Sequence, residues 1–320
     1  MNEMDLATWL PMTVDDYADY ERRVNRQRLS RAGGVWWRQV RPFFHRPLFL
    51  FRDHPPEVEL PWGARWVGGA QHPVGPETPA NSRLPLLVWD PVPGYSLDAE
   101  RGNVRREIKR GLGRYEIRIV PDAGVLTREG HPLYLEFIER TQYQVNRARV
   151  EPAYFAQWSG EVFARPHPRV LGAYHEGRLE AVSITFRVVE VLYYSVYFGG
   201  GSALRNCAAD AMIHAIKVGA AADPEVRYVF SAVGGMPRGL DFFYLRRGFR
   251  YLERPARVRG NALTLSLIRR WKPDWHRKLT NELGGERASG VDSREGGCRP
   301  AAGGTTSLWA PDSAERGVHH

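Results

Sequence analysis

Apolar and polar positions from residue 115 to residue 268 predict a regular series of short elements. Alternating runs rich in β-branched and aromatic residues indicate strands, and apolar positions three and four apart indicate helices. The predicted strands are 115–120, 170–174, 179–188, 191–198, 226–233, 249–253 and 262–268. The predicted helices are 132–144, 152–163, 205–221 and 238–247. The strands between 170 and 198 are expected to form an antiparallel meander with a turn at Gly177.

The helix predicted at 238–247 ends in a recognisable stop signal. Its apolar face carries Leu240, Phe243 and Tyr244 at helical spacing. Gly248 supplies the left-handed residue that ends many helices, and Phe249 is expected to pack back on Tyr244 as the contact of that cap. Local capping therefore explains most of the Phe-Tyr-x-x-x-Gly-Phe pattern without any function.

This order of elements resembles the GNAT acyltransferase superfamily over roughly residues 95–270. The stretch Arg-Gly-Asn-Val-Arg-Arg-Glu-Ile-Lys-Arg at 101–110 and the Gly-Leu-x-x-Phe sequence at 239–243 look most like the FemAB-related branch. The resemblance implies an α+β fold with a central mixed, mostly antiparallel sheet flanked by helices. It also implies acyl transfer from acyl-CoA, typically acetyl-CoA, without a metal. The acceptor would be an amine or hydroxyl of a small molecule, a sugar or a peptide, such as an amino sugar or an envelope polysaccharide precursor.

Two departures from the family pattern keep alternatives open. FemAB enzymes that use aminoacyl-tRNA typically carry lysine after the phenylalanine of the Gly-Leu-x-x-Phe sequence, whereas Tyr244 stands here and favours acyl-CoA. The pyrophosphate loop of many GNAT enzymes contains glycine, and the corresponding stretch 205–210 contains none. An aminoacyl transferase that draws on charged tRNA and a non-catalytic binding module of the same fold therefore remain as alternatives.

Acyl transfer needs an amide donor for the oxyanion, a base for the nucleophile and an acid for the leaving group. By resemblance, Tyr244 is the candidate acid, because a phenol with a pKa of about 10 is protonated at neutral pH. A main-chain amide near Tyr197 or Phe198 is the candidate oxyanion donor, and Tyr193 and Ser195 are candidate substrate contacts. The candidate cofactor contacts are Tyr197, Phe198, Arg205, Asn206, Cys207, Ala208 and Ser231.

The helix that opens near Arg205 is expected to hold the pyrophosphate, because free amides and the helix dipole attract negative charge there. The alternative for the glycines at 199–201 is a flexible strand-to-helix turn. A buried serine such as Ser231 is more often bonded to the backbone than to a ligand. No base is identified, since strand 191–198 carries no carboxylate. By the period of two, the polar residues on one face of that strand are Tyr193, Ser195 and Tyr197.

Positive charge is concentrated near the start of the chain, whose formal net charge is +9. The segment 22–46 holds eight arginines and no acidic residue. The acidic residues before it favour a charged helix over 14–31 with an acidic first turn. The arginines could bind nucleic acid, anionic lipid or a phosphorylated acceptor. Because the chain has only four lysines, we favour instead a solvated helix of an arginine-rich protein, which makes tRNA a less favoured partner.

Composition argues against several classes of protein. No run approaches the roughly 20 apolar residues of a spanning helix, and the segment 1–16 lacks the order of a signal peptide. The two cysteines, Cys207 and Cys298, rule out a disulfide framework and fit a reducing compartment, and no His/Cys cluster has zinc spacing. We therefore expect a cytoplasmic protein with no bound metal and no integral membrane contact.

Three regions are expected along the chain. Residues 1–94 begin with the arginine-rich helix, and the prolines and aromatic residues between 36 and 93 predict an irregular accessory layer that packs on the core. Residues 95–272 would form the acyltransferase domain. Residues 273–320 are expected to form a disordered tail, because 280–320 is rich in Gly, Ser, Ala and Arg with little apolar content.

Overall fold

A computed structural model describes residues 9–141, 146–234 and 238–280. Its centre is a 12-stranded sheet. The strands are β1 Pro11–Met12, β2 Leu29–Ala32, β3 Val35–Arg41, β4 Phe44–Pro47, β5 Gly69–Pro73, β6 Ser82–Trp89, β7 Glu116–Ile119, β8 Arg169–His175, β9 Arg178–Val188, β10 Val191–Gly199, β11 Tyr228–Val233 and β12 Arg250–Gly260. The helices are α1 Val14–Arg23, α2 Trp62–Trp66, α3 Gly102–Arg114, α4 Ala123–Val125, α5 His131–Thr141, α6 Pro152–Phe163, α7 Gly201–Arg205, α8 Ala208–Ala222, α9 Arg238–Arg246, α10 Ala262–Trp271 and α11 Pro273–Thr280.

The strands lie in the order β2-β3-β4-β5-β12-β6-β11-β10-β9-β8-β7, with β1 beside β9. Most neighbours are antiparallel, and the parallel pairs are β4 with β5, β10 with β11 and β1 with β9. The expected meander of β8, β9 and β10 is present. Its first turn passes through Glu176 and Gly177, both at positive φ. The predicted α+β class, with a mixed and mostly antiparallel sheet flanked by helices, is confirmed.

Helices cover both faces of the sheet because its central strands are apolar on both sides. One core contains residues of α1, α5 and α6 together with Leu86 and Val88 of β6. The other contains residues of α8 and α9 together with Leu87 and Trp89 of the same strand, and α3 packs outside α8. This alternation is the two-residue period of a strand that is buried on both faces.

The N-terminal region contributes to the middle of the sheet, because β6 lies between β12 and β11. The predicted irregular layer over 36–93 is therefore wrong, since β3, β4, β5 and β6 come from this region. Its prolines are compatible with strands: Pro47 and Pro73 end β4 and β5, and Pro85 pairs with Glu253 inside β6. The sheet runs across the expected boundary at 94 and 95, so a domain division there stays a prediction.

Two predicted helices have different bounds in the structure. The helix expected over 14–31 ends at Arg23, and part of the arginine-rich segment forms β2 and β3. Thr13 and Asp16 close a capping box at its start, which explains the acidic first turn. The helix expected over 205–221 begins three residues later as α8, because Cys207 before it has a left-handed φ of 62°, and Arg205 is instead the last residue of the short helix α7.

Two further expectations concern the end of the chain. The segment 262–268, predicted as a strand, is the start of α10, because the Asn261 side chain accepts a hydrogen bond from the Thr264 amide and caps a helix. Strand β12 is correspondingly longer than the predicted 249–253. Of the predicted disordered tail 273–320, residues 273–280 form α11, and the rest lies outside the described residues.

Buried histidines make the N-terminal strands sensitive to acid. His72 in β5 is fully buried beside Trp37, and His54 is 8% exposed. Burial is the main cause that lowers the pKa of both rings to about 4. Their folded pKa lies below the unfolded value of about 6.5, so the stabilisation is complete above pH 6.5 and is lost as the pH falls toward 4.

We expect the free energy of unfolding to fall by about 2 kcal/mol per histidine between pH 7 and pH 4.5, after allowance for solvent screening. Urea unfolding across this range measures the loss. Replacing His54 and His72 by glutamine should flatten the pH dependence. An equally steep dependence in the double variant would show that other groups cause it.

Candidate active site

The parallel pair of β10 and β11 ends early, and the two strands separate beyond it. Their registered partners are Val191 with Tyr228, Leu192 with Val229, and Tyr193 with Phe230. Beyond Tyr193, β10 continues to pair with β9, and beyond Phe230, β11 continues to pair with β6. The ladder therefore leaves main-chain groups on the facing edges of β10 and β11 without a strand partner. We call this opening the splay.

Both strands are irregular where they separate. The register of β10 against β9 shifts between Tyr194 and Val196, so that Ser195 is the extra residue of a bulge. The register of β11 against β6 shifts between Phe230 and Ala232 around Ser231. The two serines singled out in the sequence thus lie at the start of the splay. The buried hydroxyl oxygen of Ser231 has no hydrogen-bond partner among the described residues.

The bulge at Ser195 corrects the predicted faces of β10. Tyr193 belongs to the core on the α1 side, and Tyr197 belongs to the core on the α8 side, whereas a strict period of two would put them together. The extra residue reverses the alternation, so Phe198 again lies on the Tyr193 side. Tyr193 stacks on Phe186 and contacts Phe230 edge to face. The predicted substrate and cofactor contacts are therefore divided between two faces of the sheet.

A small cavity of about 30 Å³ lies against the splay on the Tyr193 side, with Phe230 and Val233 in its wall. Arg38 and Arg46 reach it from β3 and β4, and Tyr17 reaches it from α1. The volume is enough for one or two water molecules, not for a whole acceptor. We call this cavity the polar chamber.

Hydrogen bonds organise the polar chamber. Arg38 Nη2 donates to the Tyr17 hydroxyl oxygen over 3.2 Å and forms an ion pair with Glu21 Oε2 at 3.0 Å. Arg46 Nη2 donates to the carbonyl oxygen of Leu279 in α11 over 3.2 Å. Glu21 is buried, and its partner Arg38 has a side chain that is only 12% exposed. This carboxylate lies on α1, whereas the strand 191–198 carries none.

Protonation makes the polar chamber rich in hydrogen-bond donors. Burial raises the pKa of Tyr17 and of Tyr193 far above the ordinary range, so both phenols keep their protons. Burial, with nearby Arg41, lowers the pKa of Arg46 to about 10, so its guanidinium stays charged at neutral pH. Donors held in a site without bulk water stabilise negative charge that develops on an oxygen.

The N-terminus of α7, the short helix that follows the glycines at 199–201, is occupied by a side chain, whereas the helix predicted to open near Arg205 and to hold the pyrophosphate begins as α8 at Ala208. The Gly201 amide donates to Glu136 Oε1 of α5 over 2.5 Å. Arg140 lies 3.9 Å from the same carboxylate oxygen and donates to the carbonyl oxygen of Gly199. The carboxylate takes the place that an anionic ligand would need, so pyrophosphate could bind there only after Glu136 moves away.

The predicted contacts around this helix differ in their exposure. Arg205 is exposed at the end of α7, and the Asn206 side chain accepts a hydrogen bond from Arg110 of α3. Cys207 and Ala208 are buried, and a Cβ on Gly111 of α3 would come within 2.4 Å of the Cys207 carbonyl oxygen. The close packing of α3 therefore covers these two residues. Their predicted contact with a cofactor stays a prediction.

Tyr244 lies in the core on the α8 side of the sheet and is 1% exposed. Its ring contacts Phe249 with centroids 5.1 Å apart, and the Phe249 amide donates to the Tyr244 carbonyl oxygen. Gly248 has a φ of 78°, as the capping interpretation requires. The expected contact of the helix cap is therefore present. A catalytic role for the hydroxyl stays a prediction.

Replacing Tyr244 by phenylalanine tests that role. If the ring serves only as the contact of the helix cap, turnover should change by less than about twofold, because phenylalanine keeps the shape of the ring. Steady-state kinetics measures the effect, with Tyr194→Phe as a control for loss of a buried hydroxyl in the same core. A loss of about a hundredfold confined to Tyr244→Phe would instead support general acid catalysis by this phenol.

Sequence analysis missed the residues that α1 and the N-terminal strands bring to the polar chamber. Tyr17, Tyr20, Glu21 and Val24 are spaced as one face of a helix, and the structure buries all four. The sequence contains one signal for this site, an acidic residue on an otherwise apolar helix face. An ionised group is rarely buried without a partner, so this position indicates a buried ion pair. Its partner Arg38 could not be selected from the eight arginines of the segment 22–46.

Comparison with known proteins gives distant structural likenesses only. No family model matches the chain, and no curated protein matches it. The C-terminal DUF2156 domain of a proposed lysylphosphatidylglycerol synthetase from Agrobacterium fabrum is 13% identical, with a TM-score of 0.49, over 83% of this chain and 93% of that one. FemX is 8% identical, with a TM-score of 0.44, over 62% of this chain and 65% of that one.

A GCN5-related N-acetyltransferase from Kribbella flavida is 15% identical, with a TM-score of 0.34, over 79% of this chain and 96% of that one. The neighbours thus include FemX and a GCN5-related N-acetyltransferase. At such TM-scores no neighbour supports an activity for this chain, which has to be argued from its own residues.

Proposed function

We propose that this protein is an acyltransferase whose reacting carbonyl binds at the splay between β10 and β11. The observation that carries the proposal is the position of the polar chamber, whose wall includes the last paired residues, Tyr193 and Phe230. Unpaired main-chain amides in the splay would bind the oxyanion, and the protonated phenol of Tyr17 would donate to the same developing charge. The coarse class is a transferase of acyl or aminoacyl groups.

The acceptor is an amine or a hydroxyl, since both can attack an activated carbonyl. Glu21 is a carboxylate beside the polar chamber, through its ion pair with Arg38. It could accept a proton only after that ion pair shifts. A neutral amine needs a weaker base than a hydroxyl. An amine acceptor, such as an amino sugar or a peptide amine, therefore suits the polar chamber better.

The donor we propose is an acyl-CoA, with acetyl-CoA as the first probe. Release of CoA with a panel of amines and amino sugars would test the reaction. Thermal unfolding with acetyl-CoA tests binding, because a ligand at about 100 times its dissociation constant adds about 2.7 kcal/mol of stability. Absence of both a shift and CoA release with every acyl-CoA would exclude this donor.

The contact between Glu136 and Gly201 favours a second candidate, an aminoacyl transferase that uses charged tRNA. An aminoacyl ester needs no pyrophosphate site at α7, whereas CoA needs one or must bind elsewhere. Transfer of a labelled amino acid from charged tRNA to amine acceptors, with salt-dependent tRNA binding, would support this donor. A binding module without turnover would give neither product.

Replacing Glu136 by alanine separates the two donors. If acyl-CoA is the donor, we expect its affinity to rise about tenfold, because the Gly201 amide and the end of α7 lose a competing carboxylate. Isothermal titration with acetyl-CoA measures the change. Glu139→Ala removes an exposed acid from the same helix and serves as the matched control. Unchanged affinity in Glu136→Ala would mean that CoA does not use this helix end.

A further inference from the structure

Large apolar side chains are exposed on two helices and the turn beside them. Trp62 is 71% exposed, Leu263 is 70% exposed and Trp271 is 72% exposed. Soluble surfaces commonly expose single apolar residues, but a group of large ones marks a binding surface. We call this group the aromatic patch, and its members are Phe43, Trp62, Trp66, Leu263, Leu267 and Trp271.

Contacts join α2 to the start of α10, so the two sets of side chains belong to one region. The Asn261 side-chain amide donates to the carbonyl oxygen of Trp66 over 3.0 Å. The Asn261 main-chain amide donates to the carbonyl oxygen of Gly68 over 2.8 Å. Phe43 is next to α2, because a Cβ on Gly63 would lie 3.3 Å from the Phe43 ring.

Helix α10 is unusual because none of its residues is buried. Its half-buried side chains include Leu265, and a Cβ on Gly69 of β5 would lie 3.3 Å from that side chain. Leu263, Leu267 and Trp271 recur every four residues, which places them along one side of the helix. Burial of these side chains in the domain therefore does not explain why the sequence makes them apolar.

Positive charge borders the aromatic patch. Neither α2 nor α10 contains an acidic residue, and their basic residues are Arg65, Arg269 and Arg270. The Arg65 guanidinium lies 4.9 Å from the centre of the Trp66 ring. In the next helix Asp274 is neutralised by Arg277. Exposed tryptophan and leucine with arginine beside them match the boundary of a lipid bilayer, where the rings enter the headgroup layer and the cations meet anionic lipids.

We propose that the aromatic patch binds the surface of an anionic membrane. No helix in the described ranges is long and apolar enough to cross a bilayer, and the proposed contact is interfacial. The charge of the aromatic patch favours a bilayer over a second copy of the chain. A second copy would bring the arginines of two patches together, which is unfavourable, whereas an anionic bilayer neutralises them. The proposal does not depend on which acyl donor the protein uses.

Co-sedimentation with phosphatidylcholine vesicles, with and without phosphatidylglycerol, tests the proposal. We expect the full chain to bind vesicles that contain phosphatidylglycerol. The triple variant Trp62→Ser, Trp66→Ser and Trp271→Ser should lose about tenfold or more in partition. Phe242→Ser is the matched control, because Phe242 is 59% exposed on α9 outside the aromatic patch. Arg269→Gln with Arg270→Gln should lower only the phosphatidylglycerol-dependent part, by about fivefold per arginine.

Several outcomes would overturn the proposal. They are a failure to bind any vesicle, equal partition of the triple variant and the parent, and a dimer in light scattering that the triple variant converts to a monomer. Circular dichroism checks that the variants are folded. The single variant Trp271→Ser changes a side chain that is 72% exposed. The partition of this variant to vesicles must also fall if the proposal is right.

Discussion

Replacing Tyr17 by phenylalanine is expected to lower kcat by about a hundredfold, the size of effect seen when one donor to an oxyanion is removed. Tyr17 lines the polar chamber with Tyr193 and Phe230, and its raised pKa keeps the hydroxyl protonated. Its oxygen accepts from Arg38, so its proton remains available to a reacting oxygen. The substitution removes one atom and leaves the ring contacts with Phe186 and Tyr193 in place.

The matched control for this prediction is Tyr20→Phe. Tyr20 lies one helical turn further along α1, is equally buried and packs on the same Phe186 ring, but it does not line the polar chamber. Both variants should unfold within about 1 kcal/mol of the parent, because a buried hydroxyl contributes about that much. Steady-state kinetics with the donor that proves active gives kcat. Equal kcat values for Tyr17→Phe and Tyr20→Phe would show that the reacting carbonyl does not bind beside the polar chamber.

The order of elements after residue 115 could be predicted because each element carries its own local signal. Alternation marks β8, β9 and β10, and the cap at Gly248 marks the end of α9. The strands before residue 90 could not be predicted in the same way. Their prolines suggested breaks, whereas Pro85 sits inside β6 and is accommodated by the strands on either side. Long-range pairing, not local propensity, decides such segments.

The sequence points to residues of β10 and β11 for the candidate site, and their role there stays a prediction. Ser195 and Ser231 stood out as polar residues in apolar runs, and both lie where β10 and β11 separate. The polar chamber beside them also needs Tyr17 and Arg38, which are more than 150 residues away along the chain from these strands. The bulge at Ser195 then reverses the faces that a period of two assigns. The spacing of residues in the sequence indicates neither the contact of α1 and β3 with these strands nor the reversal of faces in β10.

Replacing Lys217 by methionine is expected to lower the free energy of unfolding by about 3 to 5 kcal/mol, the cost of leaving a buried charge without its partner. Lys217 is 2% exposed, and its Nζ donates to Glu100 Oε1 over 2.7 Å and also to the carbonyl oxygen of Arg247. Burial lowers the pKa of the lysine, and the carboxylate beside it acts in the opposite direction. Without the lysine, the buried Glu100 carboxylate therefore has no ammonium partner.

Aromatic rings enclose this ion pair. The ammonium lies 5.0 Å from the centre of the Trp89 ring and 5.8 Å from that of Phe249. Because the lysine also binds the carbonyl at the end of α9, its loss should loosen the helix cap that Tyr244 and Gly248 form. Urea unfolding measures the change in free energy, and Lys109→Met, at an exposed position, is the control.

The double variant Lys217→Met with Glu100→Gln separates the charge from the packing. A neutral amide opposite methionine leaves no uncompensated ion, and Tyr95 can still donate to it as it donates to Glu100 over 2.6 Å. We therefore expect the double variant to recover at least half of the stability lost in Lys217→Met. The double variant could instead lose as much stability as Lys217→Met and Glu100→Gln lose together. In that case packing in the aromatic enclosure contributes more to stability than the ion pair does. A loss below about 1 kcal/mol in Lys217→Met would mean that water reaches Glu100 and that the enclosure is open in solution.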